Sequence, residues 1–180
     1  MADYEVSAAY IDSLVRALRE AGKLDAVTAH DGYVDALVMN PWSSPWQPAE
    51  LLERLTDATA ATAGEAFVEQ TAYAAMKQRF GGIVVPMLKS SIAAGPGTLF
   101  NKLDSVVSVA IRGAKLSWQP ASETSGAFTV AYPRKVSPNT GLSWRGVIRF
   151  IFEVTGKPTG RIQDQAQLAS GQGFTYLVTW

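Results

Sequence analysis

The sequence predicts an α+β fold in which about five to six N-terminal helices are followed by a β-hairpin, a helix and a second β-hairpin. Up to about residue 113, apolar residues recur three and four positions apart, as on one face of a helix. Beyond that point they alternate with polar residues in two pairs of short segments, as in strands with one buried face. We therefore expect the hairpins to form a four-stranded antiparallel sheet with helices on one face.

With 180 residues, of which 47% are apolar and 18% charged, the chain has the size and composition of one compact domain, residues 1–180. Its apolar runs are far shorter than the roughly 20 residues that span a bilayer, and residues 1–5 lack a signal pattern. The lack of cysteine excludes disulfides, thiolate metal ligands and cysteine catalysis. We expect no membrane span and a cytoplasmic location.

The first helix is predicted over residues 4–21, since Ile11, Leu14 and Leu18 share one face and Gly22 is suited to end it. A short helix is expected around residues 33–38. The three prolines of residues 40–48 then predict a loop, because proline restricts the residue before it as well.

Four further helices follow, each bounded by glycine or proline. They are predicted over residues 48–63, 65–79, 83–93 and 98–112. We expect Pro48 in the first turn of one helix, Thr98 as the N-cap of the last helix, and Gly113 as its end. The pattern of this last helix predicts nearly complete burial.

The first hairpin is predicted from Leu116 and Trp118, which alternate with polar residues and pair across a turn with residues 128–132. Pro133 is expected to end the pairing. A helix follows over residues 142–154, capped by Asn139 or Thr140.

The second hairpin is predicted from residues 161–168 and 174–180, joined by a glycine-rich turn. Ile162, Ala166 and Leu168 are expected to share one face of the first strand. In the second strand, alternate residues are expected to close the core, namely Phe174, Tyr176, Val178 and Trp180.

Four segments in this order carry a resemblance. Residues 97–113, the hairpin closing at Tyr132-Pro133, residues 144–156 and residues 174–180 resemble an uncharacterised paralogous family expanded in myxobacteria. More distantly, their order is similar to that of vinyl reductase-type domains, haem NO-binding domains and TRAPP-type vesicle-tethering subunits. The resemblance covers the chain from about residue 45 and implies a haem NO-binding/TRAPP-like fold more than a function.

The resemblance also implies a pocket between the helices and the concave sheet face, which holds haem in one branch and an acyl chain in another. The haem branch needs an axial histidine and a tyrosine-x-serine-x-arginine group. Ser143 and Arg145 match the last two positions, but Gly141 stands where the tyrosine should be and His30 is the only histidine. The cysteines of some vinyl reductase-type domains are absent as well. We therefore expect no haem, no other cofactor and an apolar pocket.

Charge is segregated along the chain although the formal net charge is zero. Residues 1–70 carry 12 acidic and 4 basic residues, and residues 71–180 carry 4 acidic and 12 basic residues. The simpler interpretation is mutual attraction between halves that pack together, and the alternative is a basic, anion-binding half. Nucleic-acid binding is not expected, since the basic residues are scattered.

Two acidic groupings suggest metal chemistry at first sight. His30 with Asp31 and Asp35 has ligand types that suit zinc or iron, but its spacing matches no dedicated motif, so a solvated loop is favoured. Glu65 and Glu69 lie one helical turn apart but lack the partner Glu-x-x-His sites of a di-metal bundle. No metal site is predicted.

Arg145, Arg149 and Glu153 share one face of the last helix. Two guanidinium groups one turn apart suit a carboxylate or phosphate headgroup, because arginine binds such anions bidentately. The simpler interpretation, which the sequence favours, is an exposed stripe with one ion pair within the helix.

Aromatic residues at strand and helix positions could either line a ligand cavity or fill the core, and filling is the more common outcome. The ligand-binding candidates are Trp118, Tyr132, Trp144, Arg145 and Arg149. No catalytic residue is proposed, since no nucleophile elbow, serine triad or dinucleotide loop is present.

Three hypotheses remain. The first is a non-enzymatic sensory domain that binds a small apolar ligand or an acyl chain between helices and sheet. The second is a protein-interaction or scaffold module, including a homodimer, without a ligand. The third is an enzyme. A cavity of several hundred Å³ lined by the aromatic residues of the strands and of the last helix would favour the first, and a packed core with a large exposed apolar patch would favour the second.

Overall fold

In a computed structural model, which describes residues 4–38, 44–80, 84–87 and 89–180, the N-terminal part is largely helical. Its helices are α1 Ala8–Glu20, α2 Leu24–His30, α3 Gly32–Val38, α4 Glu50–Ala63, α5 Glu65–Phe80, α6 Val84–Met87, α7 Lys89–Ala93 and α8 Pro96–Val107. The predicted break at Gly81-Gly82 and the Asn40–Ser43 part of the predicted loop lie outside the described residues.

The C-terminal part has the predicted hairpin, helix and hairpin. Its elements are β4 Lys115–Ser122, β5 Ser125–Ala131, α9 Pro138–Val154, β6 Arg161–Gln167 and β7 Gly173–Thr179. All neighbouring strands are antiparallel and lie in the order β4-β5-β7-β6. The α+β fold with a four-stranded antiparallel sheet is thereby confirmed.

A second, three-stranded sheet was not predicted. Strand β1 (Glu5–Ser7) lies between β2 (Trp46–Pro48) and β3 (Ile111–Arg112), and pairs antiparallel with both. The predictions that the first helix starts at Tyr4, that Pro48 opens a helix and that the helix from Thr98 runs to Gly113 were therefore wrong at these ends. Strands of two or three residues have no periodicity of their own and depend on partners some 40 to 100 positions away.

Two helix starts also differ from the prediction. Helix α8 begins at Pro96 after Gly95, whose φ of 96° suits glycine, so Thr98 is not the N-cap. Its outer face is exposed at Asn101 and Asp104, so the helix is only half-buried. Helix α9 begins at Pro138 after Ser137, whose hydroxyl accepts a hydrogen bond from the Asn139 amide, so neither predicted residue caps it.

A β-bulge changes the face of β6. Ile162 pairs with Val178 on the core side, but the register shifts between Ile162 and Asp164. Ala166 then pairs with Thr175 on the outer side, so Ile162 and Ala166 do not share a face as predicted. One extra residue reverses every side chain that follows it in a strand.

The core lies between the helices and the inner face of the four-stranded sheet. Helix α9 packs on this sheet and also against α5. Phe174, Tyr176 and Val178 of β7 are each at most 1% exposed, which confirms the predicted core face of this strand. Burial of large side chains on this scale is the main favourable contribution to folding, since each stabilises the fold by about 1.5 to 3 kcal/mol.

Ion pairs join the acidic and basic parts of the chain. Among the described residues, Glu5 pairs with Arg112, Glu53 with Arg134, and Glu69 with Arg145. Each pair connects residues 1–70 with residues 71–180, as the simpler interpretation of the charge segregation expects. None of the described helices is long and apolar enough to cross a bilayer.

Candidate functional site

The five ligand-binding candidates lie in two places. Tyr132 and Trp144 are buried in the interior, and Trp118 is half-buried at one end of the sheet. Arg145 and Arg149 instead line a cleft on the outer side of α9. The structure therefore does not bring the five residues together around one cavity.

The interior is filled by a group that we call the aromatic layer, which comprises Phe128, Tyr132, Trp144, Phe174 and Tyr176. The Trp144 indole nitrogen donates a hydrogen bond to the Tyr132 hydroxyl at 2.5 Å. The Phe128 ring lies 5.7 Å from that of Trp144 and 6.2 Å from that of Tyr176, measured between centroids. Packed rings with paired polar atoms leave little reason for a ligand here.

The two tyrosine hydroxyls of this layer are held in the neutral form. Burial raises the pKa of both Tyr132 and Tyr176, because an ionised phenol loses its hydration in the interior. The Tyr176 hydroxyl donates a hydrogen bond to the Gly141 carbonyl oxygen at 2.7 Å. These groups therefore serve as structural hydrogen-bond partners at neutral pH.

In the described part of the chain, two small cavities lie among the helices, and no residue of the four-stranded sheet lines either of them. One has a volume of about 20 Å³ and is lined in part by Tyr10, Met76 and Trp144. Another, beside Leu55 and Val68, has a volume of about 10 Å³. A single water needs about 10 to 15 Å³, so neither cavity holds an acyl chain.

Trp118 lies at the edge of the aromatic layer and connects to it through Phe100, whose ring centroid lies 5.4 Å from that of Phe128. Its ring stacks on Phe100 with centroids 4.8 Å apart and lies 5.9 Å from that of Trp180. A Cβ atom on Gly126 would lie 2.4 Å from the Trp118 ring, so the indole lies directly on the backbone of β5. Trp118 thus covers one end of the sheet.

The cleft on the outer side of α9 has a volume of about 220 Å³, and we call it the arginine cleft. It is lined by Glu69, Arg145, Arg149, Phe152, Pro158, Gly160 and Ile162. Phe152 is buried and Ile162 is partly buried, so apolar side chains lie beside the two arginines. At Gly160 a Cβ atom would lie 2.6 Å from the Phe152 ring, so this ring packs directly on the chain that leads into β6.

The position of Arg145 depends on a close contact between α5 and α9. A Cβ atom on Gly146 would lie 2.4 Å from the Glu69 carbonyl oxygen and 2.6 Å from the Tyr73 amide nitrogen. Only glycine permits this approach. It brings the Arg145 Nε atom to 2.9 Å from the Glu69 carboxylate, in a pair whose side chains are 36% and 26% exposed.

Arg149 is held by an aromatic ring. Its guanidinium carbon lies 4.7 Å from the centroid of Tyr73, an arrangement that favours a cation. The Tyr73 hydroxyl donates a hydrogen bond to the Glu153 carboxylate, which also pairs with Lys77 at 2.9 Å. The prediction of an ion pair within α9 was therefore wrong. Glu153 pairs with Lys77 and Arg145 pairs with Glu69, so both ion pairs connect α9 with α5.

The sequence reasoning missed Tyr73 and Gly146, and treated Glu69 as a solvating residue. A usable signal was present, because Gly146 interrupts an apolar helix and faces the alanine-rich α5, where Ala72 and Ala75 are buried. Small residues on facing helices indicate a close helix contact. Polar residues flanking such a contact are then expected to meet.

The structure describes the segment around His30, where the sequence predicted no metal site. Asp31 forms a bidentate pair with Arg54 at 2.8 Å and accepts hydrogen bonds from the amides of Tyr33 and Val34. Arg54, followed by these amides, lowers the pKa of the Asp31 carboxyl. His30 is exposed, and no group of three metal-ligating side chains occurs among the described residues.

The outer face of the four-stranded sheet is uncovered in the described residues. The hydroxyls of Thr129 and Thr175 lie 3.0 Å apart on this face. Leu177 pairs with Ala127 there and is 46% exposed, beside a shallow depression of about 410 Å³.

Comparisons with solved structures give consistent matches. A variant of the H-NOX protein from K. algicida in its Fe(II) unliganded state has a TM-score of 0.60 and 6% identity, over 96% of this chain and 95% of that chain. An oxygen-binding H-NOX domain related to soluble guanylate cyclases has a TM-score of 0.54 and 11% identity, over 93% of this chain and 90% of that chain. This chain has the H-NOX fold. No protein-family model and no curated protein matches the sequence.

A third match comes from work on haem redox potential and porphyrin distortion, with a TM-score of 0.60 and 10% identity over 97% of this chain and 99% of that chain. At these identities the likeness establishes the fold alone. It does mean that the fold relatives and this chain correspond along nearly their whole length. The haem site of the fold can therefore be tested against the residues found here.

The described residues do not fit a haem group. A Cβ atom at Gly141 would lie 2.6 Å from the Gln165 amide and 2.8 Å from the Phe174 ring, which leaves no room for a tyrosine. The Ser143 hydroxyl donates a hydrogen bond to the Thr140 carbonyl oxygen, and Arg145 is turned to the outer cleft. His30, the only histidine of the chain, ends α2 at the surface.

Proposed function

We propose that this chain is a non-enzymatic, sensory-type domain that uses the H-NOX fold to bind a small ligand other than haem. The observation that carries the proposal is the arginine cleft, with a volume of about 220 Å³ and two guanidinium groups beside apolar side chains. Ligand sites commonly combine an apolar lining with a few convergent polar groups, and this cleft does so.

The filled interior supports a site outside the pocket that the fold relatives suggest. A ligand between the helices and the sheet would have to displace Trp144 or Tyr132, which hold each other by a buried hydrogen bond. Breaking such a bond and leaving its atoms unpaired costs about 1 to 3 kcal/mol, in addition to the lost packing. The arginine cleft needs no such rearrangement. The interior acyl-chain site is therefore not part of this proposal.

The chemistry of the cleft supports binding rather than catalysis. Arginine stays protonated at all physiological pH values, so neither Arg145 nor Arg149 can serve as a general base. The carboxylate in the cleft, Glu69, is already paired with Arg145 at 2.9 Å. A cleft with these groups orients an anion more readily than it transfers a proton.

Absorbance spectroscopy and native mass spectrometry of gently purified protein test this function. We expect no Soret band, and a noncovalent adduct of small mass that is lost on activation in the gas phase. Haem bound in a one-to-one ratio through His30 would refute the proposal. Bare protein, together with an unchanged melting temperature in the presence of fatty acids and small organic anions, would refute it as well.

The exposed face of the four-stranded sheet supports a second candidate function, an interface with a second copy of the chain. Leu177 is 46% exposed in the middle of this face, and exposed apolar patches are frequent at interfaces. Light scattering of the purified chain should then give the mass of a dimer, which Leu177→Glu converts to a monomer. Val109→Glu is the matched control, since Val109 is 54% exposed away from this face. A monomer in the unmodified chain would exclude this interface.

A further inference from the structure

We infer that the arginine cleft binds a small monocarboxylate with an apolar body, and that Arg149 is the main contact for the carboxylate. The inference rests on the proposed function and names its ligand class. It follows from three properties of the cleft, namely its charge, its lining and the way in which its arginines are held.

The charge of the cleft matches one negative charge. Glu69 neutralises one guanidinium through its 2.9 Å contact with the Nε atom of Arg145, which leaves the two terminal nitrogens of Arg145 without a partner among the described residues. Arg149 forms neither a hydrogen bond nor an ion pair with any residue in the described ranges. One net positive charge suits a carboxylate better than a phosphate monoester, which carries about −1.5 to −2 at neutral pH.

The lining of the cleft favours an anion that also has an apolar part. Phe152 is already buried, at 3% exposed, so the apolar surface that the cleft offers to a ligand comes from the half-buried Ile162 and the exposed Pro158. An inorganic anion would leave Ile162 and Pro158 uncovered, whereas an alkyl or phenyl group would cover them and gain about 25 cal/mol per Å² of apolar surface buried. A volume of about 220 Å³ is below the usual range for drug-sized ligands, so the ligand is a small molecule.

The guanidinium groups are positioned before a ligand arrives. Tyr73 lies under Arg149 with 4.7 Å between the guanidinium carbon and the ring centroid, and the ring is itself held by its hydrogen bond to Glu153. Glu69 fixes Arg145. Holding a flexible side chain in its bound orientation lowers the entropic cost of binding.

Isothermal titration calorimetry with phenylacetate and hexanoate tests the inference on the full chain. We expect one site per chain with a dissociation constant on the order of 0.1 to 1 mM, which is reasonable for a ligand of about ten non-hydrogen atoms. Phenylacetamide keeps the apolar body but loses the charge, and inorganic phosphate keeps a charge but lacks the body. Both should bind at least about tenfold more weakly, because each makes only one of the two kinds of contact.

Variants assign the binding to the cleft. Arg149→Met removes the charge but keeps an unbranched apolar side chain, and should weaken phenylacetate binding by about tenfold or more. Arg19→Met makes the same change on the exposed end of α1, away from the cleft, and should leave the affinity unchanged. Ile162→Glu places a negative charge in the lining and should abolish binding.

Each alternative outcome overturns the inference. Equal binding of phosphate and phenylacetate would mean that the arginines attract anions without selecting the apolar body. Equal affinities of the unmodified chain and Arg149→Met would place the ligand elsewhere. If neither carboxylate binds but native mass spectrometry detects another small ligand, the ligand class is wrong and the proposed function stands. If no ligand is detected by either method, both fail.

Discussion

Helix α9 separates two regions of the molecule that differ in packing and charge. On its inner side, the aromatic layer fills the space toward the sheet, where Trp144 is 2% exposed and Phe128 and Tyr176 are fully buried. On its outer side, the arginine cleft is open to solvent with a volume of about 220 Å³. Trp144 and Arg145 are adjacent in sequence but face different regions, Trp144 the sheet and Arg145 the cleft, since neighbouring residues of a helix point about 100° apart.

The comparison shows that one helix contributes to a filled core on one side and to an open cleft on the other. The inner side is stabilised by large apolar side chains and paired hydroxyls, so any ligand there competes with packing. The outer side holds its polar groups through contacts across α5 and α9 and leaves room for a ligand. We therefore expect substitutions on the inner side to change stability, and substitutions at the cleft to change binding with little effect on stability.

The largest effect is expected for Trp144→Ala. Trp144 is 2% exposed and its truncation leaves a cavity and an unpaired Tyr132 hydroxyl, so the free energy of unfolding should fall by about 3 to 5 kcal/mol. Urea titration followed by circular dichroism measures this. Trp118→Ala is the control, and should cost less because Trp118 is only half-buried. Equal losses in the two variants would contradict the distinction between a filled interior and the sheet end.

The next effect concerns the contact that joins the two regions. Gly146→Ala places a methyl group 2.4 Å from the backbone oxygen of Glu69, which cannot rotate away, so α5 and α9 must separate. We expect the free energy of unfolding to fall by about 1 to 3 kcal/mol. Gly32→Ala, where a Cβ meets nothing within 4 Å, should be neutral or slightly stabilising in the same urea titration. A neutral Gly146→Ala would mean that the helices are not in close contact.

The pH dependence tests the aromatic layer more finely. The pKa of Tyr176 is raised above its ordinary value by burial, so the unfolded chain loses this proton first and stability falls as the pH rises above about 10. At neutral pH, Tyr176→Phe should lower the free energy of unfolding by about 1 kcal/mol, because the hydrogen bond to Gly141 is lost. Between about pH 8 and pH 11, however, the free energy of unfolding of this variant should fall by less than that of the unmodified chain. Parallel losses in urea titrations at the two pH values would show that Tyr176 is accessible to solvent.

The smallest effect on stability is expected at the cleft. Glu69→Gln removes an ion pair whose side chains are 36% and 26% exposed, and such pairs contribute about 0 to 1 kcal/mol. The melting temperature should therefore hardly change, and Arg149→Met should behave in the same way because its side chain is exposed. A loss comparable to that of Gly146→Ala would mean that the cleft is part of the packed core.

The C-terminal fold was largely predictable, and the candidate site was predictable only in part. The two hairpins and α9 follow from local periodicity, and the burial of Phe174, Tyr176 and Val178 agrees with it. The two arginines were recognised from their spacing of four residues. Their partners Glu69 and Tyr73 lie 76 residues from Arg145 and from Arg149 respectively, a separation over which the sequence pattern carries no information about contact.

The sequence by itself determined which residues are buried along β5, β7 and α9, because side-chain alternation in a strand and the 3.6-residue repeat of a helix are local properties. It also determined how few side chains could serve as an axial haem ligand, since the chain has one histidine and no cysteine. Only the tertiary structure decided that β1 joins β2 and β3, that a bulge turns Ala166 outward, and that Gly146 brings α5 against α9. These features arise where distant segments meet, and the space that remains between them is the arginine cleft.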